Sequence, residues 1–384
     1  MKVGMIIRGF HNWDGGMEFL KAYVPALIKL ESVELCCIIN DRYLSLARVC
    51  EFREWLLHDF PQVSQIVCGD DWLALADCVC NEHIDVVFPS VEQLGEDFPV
   101  PWVQYVHDFQ HKYLPELFSE EEIRARDSDF FQKLVVPHAV IVEADDVKKD
   151  IYKFYPQAKC NVFVMPYTAA PLVSWLNLDD VNLTSYMLPK KYFLISNQFW
   201  MHKKHLIAFE ALAKLLENGE EECDIVCTGA MDDYRNKDYF KQLQEQIDEM
   251  GIGEHIHFLG FIPKRDQIKI MCKSVSVIQP TAFEGNPGGG IGYNALAMDV
   301  PIILSDIAVN KELKGEHISF FQVNNSDNLM EQMKIAIRNA RRERIVDKKK
   351  LLAAGELRLD ALSKALERVL QYSISDECKG YTPR

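Results

Sequence analysis

Short apolar runs of strand length alternate with helix-length amphipathic stretches along the whole chain, and no other feature constrains the fold as much. Such alternation points to parallel sheets covered by helices, because neighbouring parallel strands need a crossover segment between them. In the first half, strands are expected at KVGMIIR, VELCCIIN, IDVVFP, WVQYV, AVIVEA and VFVMP, with helices such as MEFLKAYVPALIKL and DDVKKDIYKFY between them. From Ala169 to Lys191 the pattern lapses and turn residues collect, which marks a linker at 169–190. A second series follows, with strands KYFLIS, CDIVCTG, HIHFLG, SVSVIQ and PIILS. Its helices HLIAFEALAKLLENG and DYFKQLQEQIDEMG end on glycine stops, and Ser326-Asp327 offers an N-cap to NLMEQMKIAIRNA. With 384 residues, 48% of them hydrophobic, there is material for two cores. The expected architecture is α/β: a Rossmann-like domain at 1–168, a second at 191–350 facing it across a cleft, and a C-terminal helix at 351–384 packing back on the first. Ligands of such sheets bind outside the carboxyl ends of the strands, so the groups placed there decide the chemistry.

Charge and cysteine usage remove several function classes. A net charge of −15 disfavours nucleic acid as a partner. The basic run KIAIRNARRERIVDKKK, residues 334–350, has two readings: the solvated end of a helix, or a patch for an anionic lipid surface and peripheral membrane contact. No stretch reaches the roughly 20 apolar residues of a membrane helix, and the start MKVGMIIRGF reads as a core strand rather than a signal peptide. The 11 cysteines hold no CxxC pair or zinc-type spacing, and Cys36, Cys50, Cys78, Cys160, Cys227 and Cys272 sit in or beside apolar runs. Buried thiols of a cytoplasmic protein are expected, at most reaching the inner face of a membrane.

Four segments at expected strand ends carry polar groups. In RGFHNWDGG, 8–16, the pair Gly15-Gly16 opens a helix and either admits a ligand to the backbone or serves a plain turn. YVHDFQH, 105–111, places His107, Asp108 and His111 just past a core strand, as cleft groups or as a local cap with exposed histidines. In SNQFWMHKKH, 196–205, Lys203 stands just inside a helix start, where a phosphate would explain a cation at the positive end of a dipole. The richest is QPTAFEGNPGGGIGYNALAMDVPIILSD, 279–306: Glu284 enters a loop of five glycines ahead of a helix expected at Tyr293–Met298. Bare amides of Gly288, Gly289 and Gly290 would line an anion site, and Glu284 would accept sugar hydroxyls. Ordering that many glycines is costly, which favours a functional loop.

Together FLISNQFWMHKKHLIAFEAL, HIHFLGFIPKRDQIKIM, QPTAFEG through PIILSD, and YVHDFQHKYLPELFS resemble the retaining glycosyltransferase family of GT-B fold with an E-x7-E motif, its bacterial polysaccharide and lipopolysaccharide members especially. The resemblance spans nearly the whole chain. It implies that Gly15 and Gly16 approach a donor diphosphate, that His107 lies near the transferred sugar with Asp108 beside it, and that Lys203 neutralises the diphosphate. It further implies that Glu284 contacts donor sugar hydroxyls and that Gly229, Phe261 and Ile262 face the nucleobase. Two positions depart from the pattern. The second motif glutamate aligns with Asn294, ten residues after Glu284, and Gln198 stands where the family carries an arginine. No Asp-x-Asp metal site is evident, so the expected activity is metal-independent, cofactor-free transfer of a sugar from a nucleotide diphosphate donor to a glycan or lipid-linked acceptor. The alternatives are a nucleotide-sugar epimerase of the same architecture and a GT-B subunit that binds without turnover.

Overall fold

A computed structural model describes residues 1–135, 139–219, 223–340 and 347–375. The chain divides into two compact units, Met1–Thr168 with Leu357–Arg384, and Ala169–Glu356.

The first unit holds a seven-stranded sheet in the order β3-β2-β1-β4-β5-β6-β7. Its strands are β1 (Lys2–Ile6), β2 (Glu34–Asn40), β3 (Ser64–Cys68), β4 (Val86–Ser90), β5 (Trp102–Tyr105), β6 (Ala139–Val142) and β7 (Asn161–Val164). Every pairing is parallel, with Lys2 opposite Glu34 in β1–β2 and Ala139 opposite Asn161 in β6–β7. The strand order reverses between β1 and β4. Every residue of β4, β5 and β6 is buried, as sheets covered on both faces require. The core gathers Phe10, Tyr23, Phe52 and Phe88. The helix Lys348–Ile374 contributes Leu362, Leu366, Val369 and Leu370 to the same core, and Ser363 Oγ donates to the Ala26 carbonyl at 2.8 Å. Each such buried side chain stabilises by about 1.5–3 kcal/mol.

The second unit holds a six-stranded sheet in the order β10-β9-β8-β11-β12-β13. It comprises β8 (Tyr192–Ser196), β9 (Asp224–Thr228), β10 (Ile256–Phe258), β11 (Val277–Gln279), β12 (Ile302–Ser305) and β13 (Ile318–Phe321), all paired in parallel. Its order reverses between β8 and β11, so the loops leaving those two strands flank the switch point. Segment 169–190 packs within this unit: Arg265 bridges to Asp180 at 2.6 Å and Tyr186 donates to Asp266 at 2.6 Å.

Local assignments differ from expectation at four places. β3 and β13, absent from the expected strands, are each an outer strand of their sheet. The cap of the helix Ser326–Asn339 is Asn325, whose side chain accepts the Asn328 amide at 2.9 Å, rather than Ser326-Asp327. The helix expected at Tyr293–Met298 starts at Gly289 and ends at Ala297, taking in three of the five glycines. Of the basic run, residues 341–346 lie outside the described residues; Lys348 donates to the Asn177 side chain and Lys350 reaches Asp299. Among the described residues no helix is long and apolar enough to cross a membrane.

Candidate functional site

In the second unit, five polar side chains join at the carboxyl ends of β8 and β11. Lys203 Nζ lies 2.6 Å from Glu284 Oε1, with the two side chains only 12% and 9% exposed. Gln279 Nε2 donates to the same oxygen at 2.9 Å, Asn197 Nδ2 donates to Gln279 Oε1 at 2.7 Å, and His205 Nε2 lies 2.7 Å from Asn197 Oδ1. The carboxylate orients the whole chain, because it can only accept. Gln279 must then present its oxygen to Asn197, Asn197 its oxygen to His205, and His205 must carry its proton on Nε2. His205 Nδ1 is left buried without a partner among the described residues, in a ring stacked on Phe199 at 4.0 Å. Burial, with the Lys203 charge adding to it, holds His205 neutral by lowering its pKa to about 3. Glu284 Oε2 has no partner among the described residues and is available to a ligand hydroxyl.

Lys203 does not stand inside a helix start. It closes a 3-10 turn, Met201–Lys203, and the helix begins at His205 after Lys204 in the left-handed region at φ +52°. The turn is anchored by the β11 loop, whose Ala282 amide donates to the His202 carbonyl at 2.8 Å. Burial and the neighbouring Lys203 and Arg235 charges push His202 down to about 2.

The glycine-rich segment departs from the expected row of bare amides. The Gly288 amide donates to Asn310 Oδ1 at 3.0 Å and the Gly289 amide to the Asn286 carbonyl at 3.2 Å. Among the described residues only the Gly290 amide of the three lacks a partner, and space around the Gly290 Cα is open. Gly289 has φ +65°, and a Cβ there would meet Gln279 Nε2 at 2.9 Å and the Glu284 carboxyl at 3.4 Å. Glycine at 289 is therefore what lets the helix start press against the Lys203–Glu284 pair. Asn294 is the sixth residue of that helix, not its start, and lies one turn beyond Gly290 on the same face.

The loops after β9 and β10 complete this end of the sheet. Gly229 has φ +128°, and a Cβ there would fall 2.1 Å from the Asn197 carbonyl oxygen and 3.3 Å from the Gln198 nitrogen. The Gly229 amide donates to the Gly260 carbonyl at 2.9 Å, next to Phe261, which is 76% exposed, and the partly exposed Ile262. Five participants escape a sequence reading: Asn197, His205, Gln279, Asp233 and Arg235. Gln279 left the one usable signal, an amide closing a strand whose residues are all buried. Arg235 arrives from the β9 loop, with its guanidinium 5.3 Å over the Trp200 ring.

The first unit presents its expected residues separately. Gly15 and Gly16 lie in the first turn of the helix Asp14–Ile28, beneath the Trp13 indole. A Cβ at Gly16 would meet the Phe10 carbonyl at 2.6 Å and the indole at 2.9 Å, so packing within the chain already requires glycine there. Trp13 also connects this turn to His107, with ring centroids 6.3 Å apart. Desolvation lowers the His107 pKa, although 43% of its side-chain surface stays exposed. Asp108 Oδ1 accepts the Gln110 amide at 3.0 Å, as a local cap would, and His111 is buried, 3.0 Å from Asp127. Beside the loop that leaves β1, a cleft of about 590 Å³ is lined by His11, Asn12, Arg42, Tyr43, Leu46, Ala47 and Arg48.

One Asp-x-Asp occurs, at Asp127-Ser128-Asp129. Asp127 is engaged by His111, Lys112 and Tyr155, and Asp129 by Lys133. Among the described residues no group of three His, Cys, Asp or Glu side chains is placed to hold a metal ion.

Residues 187–352 match the family model described as Glycosyl transferases group 1. No curated protein matches the chain by sequence. Among solved structures, Anabaena Alr3699/HepE in complex with UDP and glucose aligns with a TM-score of 0.66 at 16% identity, covering 97% of this chain and 99% of that one. Sucrose-phosphate synthase from Thermosynechococcus elongatus aligns at 0.66 and 12% identity, covering 97% and 98%. A glycosyltransferase from Rickettsia africae aligns at 0.63 and 13%, covering 99% of each chain. The fold is therefore GT-B, two Rossmann-like units in one chain.

Proposed function

Since residues 187–352 match the family model of glycosyl transferases group 1, we propose that this protein transfers a sugar from a nucleoside diphosphate donor held at the switch point of the second sheet. The observation that carries the reading is the Lys203–Glu284 pair, buried at the ends of β8 and β11 against the start of a glycine-led helix. The Lys203 ammonium has three N–H donors and Glu284 as its one partner among the described residues, so two remain for a diphosphate. The Gly290 amide and the helix dipole add to that field. As the glycosidic bond breaks, negative charge grows on the leaving diphosphate, and preorganised donors of this kind contribute about 3 kcal/mol each to the transition state. Glu284 Oε2 accepts a donor sugar hydroxyl, and Asn294 faces the ribose. Gly229, Phe261 and Ile262 frame the nucleobase, with Gln198 behind them. The sugar passes to a glycan or lipid-linked acceptor.

Metal independence follows in this reading from Lys203 and the amides meeting the diphosphate charge, and retention of configuration rests on the family resemblance. That Alr3699/HepE is found with UDP supports a nucleoside diphosphate donor and puts uridine first among the bases to try. The test is a thermal-shift panel of nucleoside diphosphates and their sugars, followed by product analysis with and without glycan acceptors. A ligand at a hundred times its Kd adds about 2.7 kcal/mol to stability, which the melt resolves. A panel in which no sugar nucleotide stabilises the protein refutes the reading. Conversion of the donor without an acceptor to a second sugar nucleotide identifies an epimerase. Asn294 at the second glutamate position supports the remaining alternative, a subunit that binds without turnover, which any transfer or donor hydrolysis eliminates.

A further inference from the structure

The β9 loop contains a buried ion pair that the proposed chemistry leaves unused. Asp233 is 3% exposed and the Arg235 side chain 8%, and Arg235 Nε meets Asp233 Oδ1 at 3.2 Å. Burying such a pair is costly, and apolar residues of the same volume would stabilise a core as well or better. What apolar residues could not do is grip the three positions ahead of Lys203. Asp233 Oδ2 accepts the Met201 amide at 3.2 Å, while its Oδ1 also accepts the Arg235 amide at 3.1 Å. The Arg235 guanidinium covers the Trp200 ring at 5.3 Å, and its Nη2 lies 3.4 Å from His202 Nδ1. Arginine can only donate, so His202 Nδ1 accepts and the ring carries its proton on Nε2. From the opposite side, Thr281 and Ala282 hold the His202 carbonyl through the loop that carries Glu284. The 3-10 turn is thus clamped between two loops, and Lys203 is its last residue.

We propose that Asp233 and Arg235 are positioning residues that set the Lys203 ammonium in place for a diphosphate. The proposal rests on the reading of Lys203 given above, and a thermodynamic cycle separates the two. UDP, GDP, ADP and CDP are titrated by calorimetry into the full-length protein, and the tightest binder serves as probe. Lys203→Met is expected to weaken that probe at least about tenfold, as is Arg235→Lys, which keeps the charge but loses the fork. In the Lys203→Met background, Arg235→Lys is expected to add less than about twofold, because residues acting through one group are not additive. An equal fold-loss in both backgrounds overturns the positioning role, since damage to the fold alone would multiply. An unchanged Kd for Lys203→Met, or no binding of any probe by the wild type, overturns the diphosphate site itself. Where Arg235→Lys lowers the melting temperature, the isosteric Asp233→Asn is run through the same cycle, with the same outcomes deciding.

Discussion

Replacing Lys203 by Met removes the cation from a pair whose carboxylate is 9% exposed and keeps only Gln279 as donor. Leaving one member of a buried pair uncompensated costs about 3 kcal/mol, the lower end of the usual range because both side chains retain a little solvent. In a unit of this size that corresponds to a fall of roughly 6–12 °C in its melting temperature. Adding Glu284→Gln removes the stranded charge, and the Gln279 contact survives, so Lys203→Met/Glu284→Gln is expected to recover most of the lost stability. Activity follows a different course. Loss of one preorganised cation is worth about 3 kcal/mol in the transition state, or on the order of a hundredfold in turnover, and the double variant does not recover it. Calorimetric melting and initial rates of sugar release from the donor, measured on wild type and the two variants, read both quantities. The reasoning fails if Lys203→Met leaves melting temperature and turnover unchanged, or if the double variant regains turnover along with stability.

Two further outcomes follow from the second unit. Gly229→Ala places a methyl 2.1 Å from the Asn197 carbonyl in a backbone region closed to alanine, so a loss of more than about 3 kcal/mol is expected in urea unfolding; a variant within about 1 kcal/mol of wild type contradicts the close approach of the β8 and β9 loops. His202 and His205 stay neutral when folded, with pKa values near 2 and 3 against 6.5 when unfolded. The stability this contributes is full above pH 6.5 and is lost as pH falls toward the folded values, by about 2 kcal/mol for each histidine at pH 5. Comparing urea midpoints at pH 7.5 and 5.0 for wild type and His205→Gln tests the sign, and an identical pH dependence in the two proteins contradicts it.

The two strands that pattern reading misses, β3 and β13, show where the apolar signal fades. Each lies at the outside of its sheet and keeps partial solvent, β3 with Ser64 and Val67 exposed and β13 with three of its four residues half-buried. An outer strand has one neighbour and less to cover it, so its composition is less constrained. The glycine-rich helix shows the opposite failure. Propensity argues against helix at Gly289, Gly290 and Gly292, yet Gly292 packs toward Leu313 and Ile302 and Gly289 toward Glu284. Tertiary contacts outweigh a local preference of about 1 kcal/mol per glycine.

What the sequence determined by itself is the α/β alternation and the placing of Lys203 and Glu284 at strand ends, since buried parallel strands and the polar residues that interrupt them are local patterns. The pairing of Lys203 with Glu284 across 81 residues is a decision of the tertiary structure alone. So are the relay through Gln279, Asn197 and His205, and the Asp233–Arg235 clamp on the turn before Lys203. These depend on which strands become neighbours: the reversal of strand order between β8 and β11 brings two distant loops together, and no spacing along the chain records it.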